Sequence, residues 1–542
     1  MSEIVLINPP SKRTPHTKFT VHHGVAPIGM AYIAGSLKEK GFQHQVIDAV
    51  GEGLFQYEPF STDRSIYLRG LNFDQVISKM GADTKYVLIS SMYLSDWVVC
   101  RKLIYKIKES FPYSTIILGG ENPTTFWNKI LEFDQVVDYC IIGEGDDIII
   151  NLLNCLQNNE DPKKVQGVAL RTPSGRVFMT ERPARIKNLI DYRPDWSQFP
   201  LENYFKARTT TRAIGRRSMP IIASRGCVYR CSFCTSETKW GTTFITRPVE
   251  DVVDEFRLYR DLYNIEHICV VDLAASINKN WFMDLVRALV KADLGITWEL
   301  SSGTRSEFLT RENLILMKQS QFTYLTLAPD TGSEKTVMDI EKRINIGKLN
   351  RALNDVIDLN MWVKTNFIVG MFQQTKKEVL DTYKMALKYS LKGVDDVVLY
   401  PYVPFPGSKM FDNMLRDGVV KLNTQKEYQD FILEASTYSI VALNNENIKY
   451  PLPVTYTHQM VMVICFFISL IRKPQRIFIF IKRLLTRSPM GVFEVAVYQS
   501  LAWYFLMVKL KLRGKAKKTI YEDPCGKETN IFKTNQLEAN EA

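Results

Sequence analysis

The chain has 542 residues, too many for one ordinary domain and enough for two or three domains with cores of their own. A hydrophobic fraction of 46% excludes an intrinsically disordered protein. The formal net charge of +11 allows contact with nucleic acid, an anionic membrane surface or anionic cofactors, so the placement of that charge along the chain must decide between them.

Residues 1–195 alternate apolar runs with amphipathic stretches, which predicts parallel strands separated by helices. The strands run into glycine or Asn-Pro turns, a pattern typical of a doubly wound, Rossmann-like α/β domain. Ligands of such a domain lie beyond the carboxyl ends of its strands. The predicted strands are 4–7, 45–47, 86–90, 115–118 and 139–142, and a helix is predicted over 29–40.

A linker rich in Pro, Arg and Asp follows near 192–200, and a second α/β series occupies 196–420. Repeated strand–helix units after a first strand predict a full or partial barrel. The predicted strands are 268–271, 297–300, 324–327, 365–369 and 396–400, with helices over 249–263, 280–292 and 376–389. Residues 421–520 are predicted to be helical, basic and apolar, and 521–542 a polar tail.

The chain has nine cysteines, and three of them are clustered. Cys227, Cys231 and Cys234 have CxxxCxxC spacing, which lets one loop bind three corners of a [4Fe–4S] cluster and leaves the fourth iron open. A zinc site or a chance cluster is the alternative, but zinc normally needs a fourth ligand and no second CxxC or HxxxH pair appears. The six single cysteines are expected to be buried apolar residues: Cys100, Cys140, Cys155, Cys269, Cys465 and Cys525.

The cysteine spacing, with Phe233 just before the third cysteine, resembles the signature of the radical S-adenosylmethionine (SAM) superfamily. The resemblance covers about 220–418 and implies a partial (β/α)6 barrel that binds a [4Fe–4S] cluster and SAM. In this family the open iron chelates SAM, whose reductive cleavage gives a 5′-deoxyadenosyl radical. By position in the family's motifs, the resemblance implies SAM contacts at Phe233, Asp272, Arg305, Asp330, Ser333 and Gly370, each of which could equally have a plain role in the fold.

The N-terminal turns resemble those of the cobalamin-binding domain that precedes many radical SAM barrels. That resemblance implies corrinoid contacts at Ser90, Gly119, Gly120, Gly143 and Glu144. The DxHxxG motif that supplies a histidine to cobalt is missing, so no motif histidine is expected beneath the corrin. His16, His22 and His23 are expected to be surface residues. The alternative is a degenerate domain that binds no cofactor.

The C-terminal region combines apolar runs with lysine and arginine. The run 461–471 is too short for a bilayer, which needs about 20 residues. Basic residues flank this run and a second one over 492–508, as in helices that lie in a membrane interface. A buried helical cap is the alternative. Nucleic acid is disfavoured because the basic residues alternate with bulky aliphatic ones.

The two resemblances together imply a cobalamin-dependent radical SAM enzyme that methylates an unactivated carbon through the 5′-deoxyadenosyl radical and methylcobalamin. The expected partners are a lipophilic small-molecule substrate and an electron donor such as flavodoxin or ferredoxin. The alternatives are an oxidative cyclase of the anaerobic magnesium-protoporphyrin ester type and a non-catalytic cobalamin or iron–sulfur sensor. The start of the chain shows no signal peptide, so the expected location is cytoplasmic, at the inner face of the membrane if the C-terminal region is interfacial.

Overall fold

The computed structural model describes residues 2–14, 25–61, 66–207, 217–300, 302–437 and 454–485, with the single residues Phe493, Glu494 and Val497. His16, His22, His23 and Cys525, most of the run 492–508 and the tail 521–542 lie outside the described residues.

The N-terminal part is built on a seven-stranded sheet. Its strands and those of a small neighbouring sheet are β1 (Ile4–Asn8), β2 (Ser11–Arg13), β3 (His44–Asp48), β4 (Tyr57–Pro59), β5 (Tyr67–Arg69), β6 (Tyr86–Ser90), β7 (Thr115–Gly119), β8 (Tyr139–Ile141), β9 (Val168–Arg171) and β10 (Val177–Met179). The large sheet has the order β10-β9-β8-β7-β6-β1-β3. Five strands are parallel, and β9 and β10 extend the sheet antiparallel. The strands β2, β5 and β4 form a separate antiparallel sheet.

Helices connect these parallel strands, as a doubly wound fold requires. They are α1 (Ile28–Glu39), α2 (Ala49–Glu52), α3 (Phe73–Lys79), α4 (Trp97–Ser110), α5 (Glu121–Phe133), α6 (Gly145–Gln157) and α7 (Leu201–Ala207). The predicted N-terminal strands are confirmed to within about a residue at each end. The antiparallel β9 and β10 were not predicted, because no short strand of this kind carries a strong periodic signal.

The second sheet is six-stranded and parallel. Its strands and those of a two-stranded hairpin are β11 (Ser218–Ile221), β12 (Ser224–Gly226), β13 (Phe244–Thr246), β14 (His267–Val270), β15 (Thr297–Leu300), β16 (Phe322–Asp330), β17 (Trp362–Val369) and β18 (Asp396–Pro401). The order β11-β14-β15-β16-β17-β18 follows the chain, whereas β12 and β13 pair only with each other. This is the predicted partial barrel, and it confirms the expected α/β fold class.

Helices alternate with these barrel strands. They are α8 (Ser236–Trp240), α9 (Val249–Tyr263), α10 (Lys279–Ala292), α11 (Arg311–Gln319), α12 (Glu334–Asp339), α13 (Ile346–Asp358), α14 (Lys376–Lys392) and α15 (Lys409–Arg416). Helix α14 shows how the local sequence determines where a helix begins and ends. Thr375 and Glu378 form a capping box at its start, and Gly393 closes it in the left-handed conformation with φ of 105°.

Three helices are described after the barrel: α16 (Gln425–Thr437), α17 (Val454–Arg472) and α18 (Gln475–Leu485). The helix α16 returns to the N-terminal part and packs on α4 and α5, whereas α17 packs on α14 and β18 of the barrel. One apolar core runs without a break from the first sheet into the barrel, and a second joins the other face of the first sheet to α15 and α16.

Candidate functional site

The three clustered cysteines lie on the loop that follows β12. Their side chains are partly exposed, and none of the described cysteines is in a disulfide. Burial raises the pKa of both Cys227 and Cys231, and the nearby charge of Cys234 raises both further. Three thiols on one short loop are the donor set that an iron–sulfur cluster requires.

The side chains of this loop are not arranged as a complete metal-binding site. In the described part of the chain, no group of three His, Cys, Asp or Glu side chains is arranged to hold a metal ion. Assignment of Cys227, Cys231 and Cys234 as cluster ligands therefore stays a prediction.

Two basic side chains from the barrel reach the cysteine loop. The guanidinium of Arg305 lies 4.0 Å from the ring centre of Tyr229, which stands between the first two cysteines. Lys342 pairs with Asp330 and donates to the carbonyl of Ala328 at 2.6 Å. Burial raises the pKa of Cys231 to about 11, and the charge of Lys342 opposes this shift. The positive charges thus favour thiolates, the form that binds iron.

Five of the six predicted SAM contacts lie at the carboxyl ends of barrel strands or in the turns that follow. Asp272 follows β14, Arg305 follows β15, Asp330 ends β16 with Ser333 in the turn after it, and Gly370 follows β17. Parallel strands present their carboxyl ends at one edge of a barrel, so the topology brings these residues to the same edge as the cysteine loop. Phe233 lies in the loop itself and packs against the core beneath it.

Each of these residues also makes contacts within the protein itself. Asp272 is buried and accepts hydrogen bonds from the amide of Ala223 at 2.8 Å and from the Ser224 hydroxyl. Burial raises its pKa to about 7. Ser333 caps α12 by accepting from the amide of Thr336 at 3.2 Å. Their direct contact with SAM stays a prediction.

The turn at Gly370 is closed by a side chain that the sequence analysis did not single out. The amides of Gly370 and Met371 donate to the carboxamide oxygen of Gln374 at 2.9 and 3.2 Å. Gln374 carries a neutral carboxamide. Its carboxamide oxygen accepts the two backbone hydrogen bonds without carrying a charge.

The predicted corrinoid residues lie at the carboxyl edge of the first sheet. Ser90 ends β6 and Gly119 ends β7. A Cβ atom built on Gly119 would meet nothing within 4 Å, so the space above this strand end is open. Gly120 has φ of 111°, and a side chain there would come within 2.6 Å of the Ser91 carbonyl oxygen. An open edge over glycines fits the approach of a bulky ligand.

The turn after β8 joins the two halves of the molecule. Glu144 accepts from Arg185 at 2.6 Å and from Arg225, which lies two residues before Cys227, at 3.3 Å. A cavity of about 610 Å³ opens beside this turn, lined among others by Gly143, Lys239 and Trp240. The structure therefore brings Glu144 toward the cysteine loop through an ion pair. The resemblance had implied a corrinoid contact for it.

The C-terminal helices leave an apolar face uncovered among the described residues. Met462, Cys465 and Phe466 of α17 are buried, which agrees with the helical cap that the sequence left open. The opposite side of α17 and much of α18 are exposed, at Met460, Ile464, Phe467, Ile471, Phe478, Ile481 and Leu485. Among the described helices, none combines the length and the apolar character needed to cross a bilayer.

Comparison with known proteins finds two family models that match parts of this chain. Residues 221–386 match the radical SAM superfamily model, and residues 18–153 match the B12 binding domain model. The chain is 25% identical to a cytidylyl-2-hydroxyethylphosphonate methyltransferase of Streptomyces wedmorensis, over 77% of this chain and 82% of that protein. It is 24% identical to an anaerobic magnesium-protoporphyrin IX monomethyl ester cyclase of Rubrivivax gelatinosus, over 72% of this chain and 66% of that protein.

Among solved structures, the chain is similar in fold to the radical SAM methyltransferase TsrM of Kitasatospora setae. The TM-score is 0.61 at 15% sequence identity, with 77% of each chain covered. The match spans both halves of the molecule, which agrees with the succession of an open parallel sheet and a partial barrel.

Proposed function

This chain is a radical SAM protein with a B12-binding domain, and from that premise we propose that it is a cobalamin-dependent methyltransferase acting on an unactivated carbon. The observation that carries the proposal is the ion pair between Glu144 and Arg225. It sets the open edge of the B12-binding domain against the loop that bears the three cysteines. A methyl carrier and a radical generator must face each other for such a transfer.

The residues of this chain would hold the cofactors and exclude water. Cys227, Cys231 and Cys234 would bind a [4Fe–4S] cluster, and the glycine edge of the first sheet would bind cobalamin. Held by these residues, the cluster would supply an electron to SAM, and cobalamin would supply the methyl group. Asp272, ionised above its raised pKa, would attract the positively charged sulfonium of SAM, while Gln374 holds the backbone turn at Gly370.

A second candidate is an oxidative cyclase, because the Rubrivivax gelatinosus relative has that activity. The mass of the product separates the two reactions. A gain of one methylene unit supports methylation, whereas a loss of hydrogens or a gain of oxygen supports cyclisation. A non-catalytic sensor would give neither product and would leave SAM intact.

The apolar face of the C-terminal helices supports a lipophilic small-molecule substrate and peripheral contact with the inner face of the membrane. Met460, Ile464, Phe467 and Ile471 form one exposed row along α17, spaced three or four residues apart. The exposed Arg472 and Lys482 lie beside apolar residues, as in interfacial helices. Each basic residue close to an anionic surface adds about 1 kcal/mol.

The test is anaerobic purification with iron, sulfide and corrinoid analysis, followed by reduction in the presence of SAM. An external reductant replaces the natural donor, which we propose to be a flavodoxin or ferredoxin. The expected result is bound cluster and corrinoid and release of 5′-deoxyadenosine. Zinc or no metal at the loop would contradict the proposal.

Replacement of Cys227, Cys231 or Cys234 by alanine should abolish release of 5′-deoxyadenosine, because three thiolates are needed to hold the cluster. Cys465→Ala is the matched control, since Cys465 is buried in α17 and is not part of the loop. Release comparable to that of the unmodified protein is expected from this control. Retained release in a variant of the three clustered cysteines would refute their role.

A further inference from the structure

Arg225 is one of the side chains that join the region of the cysteine loop to the B12-binding domain, as Thr235 is through Glu121. Arg225 is 7% exposed, and its guanidinium donates to both carboxylate oxygens of Asp146, at 2.9 and 3.2 Å. A third contact reaches Glu144 at 3.3 Å, and the guanidinium carbon lies 5.0 Å from the ring centre of Tyr32. We propose that Arg225 is a positioning residue that couples corrinoid binding in the first domain to the cysteine loop.

The far end of this link is the turn that we propose as part of the corrinoid site. Asp146 lies in the first turn of α6, directly after the turn at Gly143 and Glu144. The carboxylate of Glu144 is held a second time by Arg185, whose guanidinium carbon lies 5.0 Å from the ring centre of Trp240. Both acidic side chains therefore point to the barrel side, and a ligand that orders this turn also orders the partners of Arg225.

On the barrel side of this ion pair, the backbone around Arg225 is held rigidly. Arg225 lies in β12, which pairs with β13 over three residues. Gly226 has φ of 101°, and a Cβ atom there would lie 2.0 Å from the carbonyl oxygen of Thr243, so the two backbones are in close contact. Only this glycine separates Arg225 from Cys227. A shift of the guanidinium thus moves the first cysteine, because no flexible segment lies between them.

Arginine suits this role better than lysine. A guanidinium binds a carboxylate with two parallel hydrogen bonds in a fixed plane, whereas an ammonium is a point charge without that directionality. A coupling between two sites is also reciprocal. If corrinoid binding orders the cysteine loop, a cluster in the loop must tighten corrinoid binding by the same factor.

The inference rests on the proposed function and is tested by that reciprocity. Hydroxocobalamin binding is measured by ultrafiltration on the full chain, once after chelator treatment to remove the cluster and once after anaerobic reconstitution. In the unmodified protein the cluster should lower the Kd at least about fivefold, the lower end of usual coupling factors. In Arg225→Gln this ratio should fall to one. A merely structural role would weaken both affinities and leave their ratio unchanged.

Arg230→Gln is the matched control. Arg230 lies in the same loop and pairs with Glu237 at 3.2 Å, but its side chain is 66% exposed. This variant should keep the ratio of the unmodified protein. If Arg225→Gln does not fold, Asp146→Asn removes the carboxylate from the other end of the link and should likewise reduce the ratio.

The outcomes separate the inference from the proposed function. An unchanged ratio in Arg225→Gln, or a ratio of one in the unmodified protein, overturns the coupling while the enzyme assignment stands. Absence of hydroxocobalamin binding in the unmodified protein overturns the cobalamin assignment, and the inference falls with it.

Discussion

Asp272 shows how a single buried carboxyl group can make ligand binding depend on pH near neutrality. Asp272 follows the end of β14, and its carboxyl group accepts hydrogen bonds from Ala223 and Ser224. The residue is 4% exposed. Burial raises its pKa from 3.8 to about 7, because the charged form loses its hydration. The folded state therefore holds this proton more tightly than the unfolded state, and this group lowers the free energy of unfolding as pH rises from 3.8 to about 7.

The same ionisation should control SAM binding. If the carboxylate of Asp272 attracts the sulfonium charge of SAM, the apparent affinity should rise about tenfold between pH 6 and pH 8, as the ionised fraction grows around a pKa near 7. Isothermal titration of the cluster-loaded protein at several pH values measures this. Asp272→Asn should bind more weakly and lose the dependence, whereas Asp284→Asn, at an exposed site on α10, should keep it. A rise with pH that persists in Asp272→Asn would remove Asp272 from the SAM site.

At the scale of elements, the strands and most helices could be predicted because their apolar periodicity is local. The predicted helix 249–263 coincides with α9, and the strand 297–300 coincides with β15. Contacts between distant residues could not be predicted in this way. Tyr428 donates to Asp134 across 294 residues of sequence, and nothing in either local pattern indicates the other.

The candidate site could be predicted less completely than the fold. The cysteines and the acidic or glycine residues at strand ends carry motif spacing, which is visible in one chain. Supporting contacts carry none: Lys342 meets Asp330, and Tyr229 meets Arg305, through three-dimensional proximity. Arg225 and Glu144 illustrate the difference, since both were visible in the sequence but only the structure shows that they pair.

The exposed apolar residues of α17 and α18 should contribute to membrane binding, because both helices leave large apolar side chains uncovered among the described residues. Replacing Ile471 and Phe478 by glutamate adds two charges where side chains are 75% and 78% exposed. Sedimentation with anionic liposomes should fall severalfold, since burial of each large apolar side chain contributes roughly 1.5–3 kcal/mol. Met338→Glu, at an equally exposed site on α12, is the control and should not change sedimentation. Equal sedimentation of all proteins would refute the interfacial role.

At the scale of the whole molecule, a buried polar network holds α16 to the N-terminal domain. Arg101 of α4 pairs with Asp134, and both side chains are 1% exposed. Tyr428 of α16 donates to Asp134 at 2.8 Å and accepts from the indole of Trp97 at 2.6 Å. A buried pair of this kind gives specificity to the docking, because a displaced helix would leave charges without partners.

Loss of one partner in this network should lower the free energy of unfolding. Asp134→Asn leaves the guanidinium of Arg101 buried without its counter-charge and should lower the free energy of unfolding by about 3–5 kcal/mol. Urea unfolding followed by circular dichroism measures the change. Glu109→Gln, which removes an exposed ion pair with Lys106 on the same helix, should stay within about 0.5 kcal/mol of the unmodified protein. Similar midpoints for the two variants would show that the network does not stabilise the assembly.

The return of α16 has a consequence for how molecules enter. The two halves are fastened at several places, among them Tyr428 with Asp134, Arg225 with Asp146 and Thr235 with Glu121. The apolar core that runs from the first sheet into the barrel packs the halves together between these contacts, which opposes a clamshell opening. We therefore expect a ligand to enter without a wide separation of the two halves.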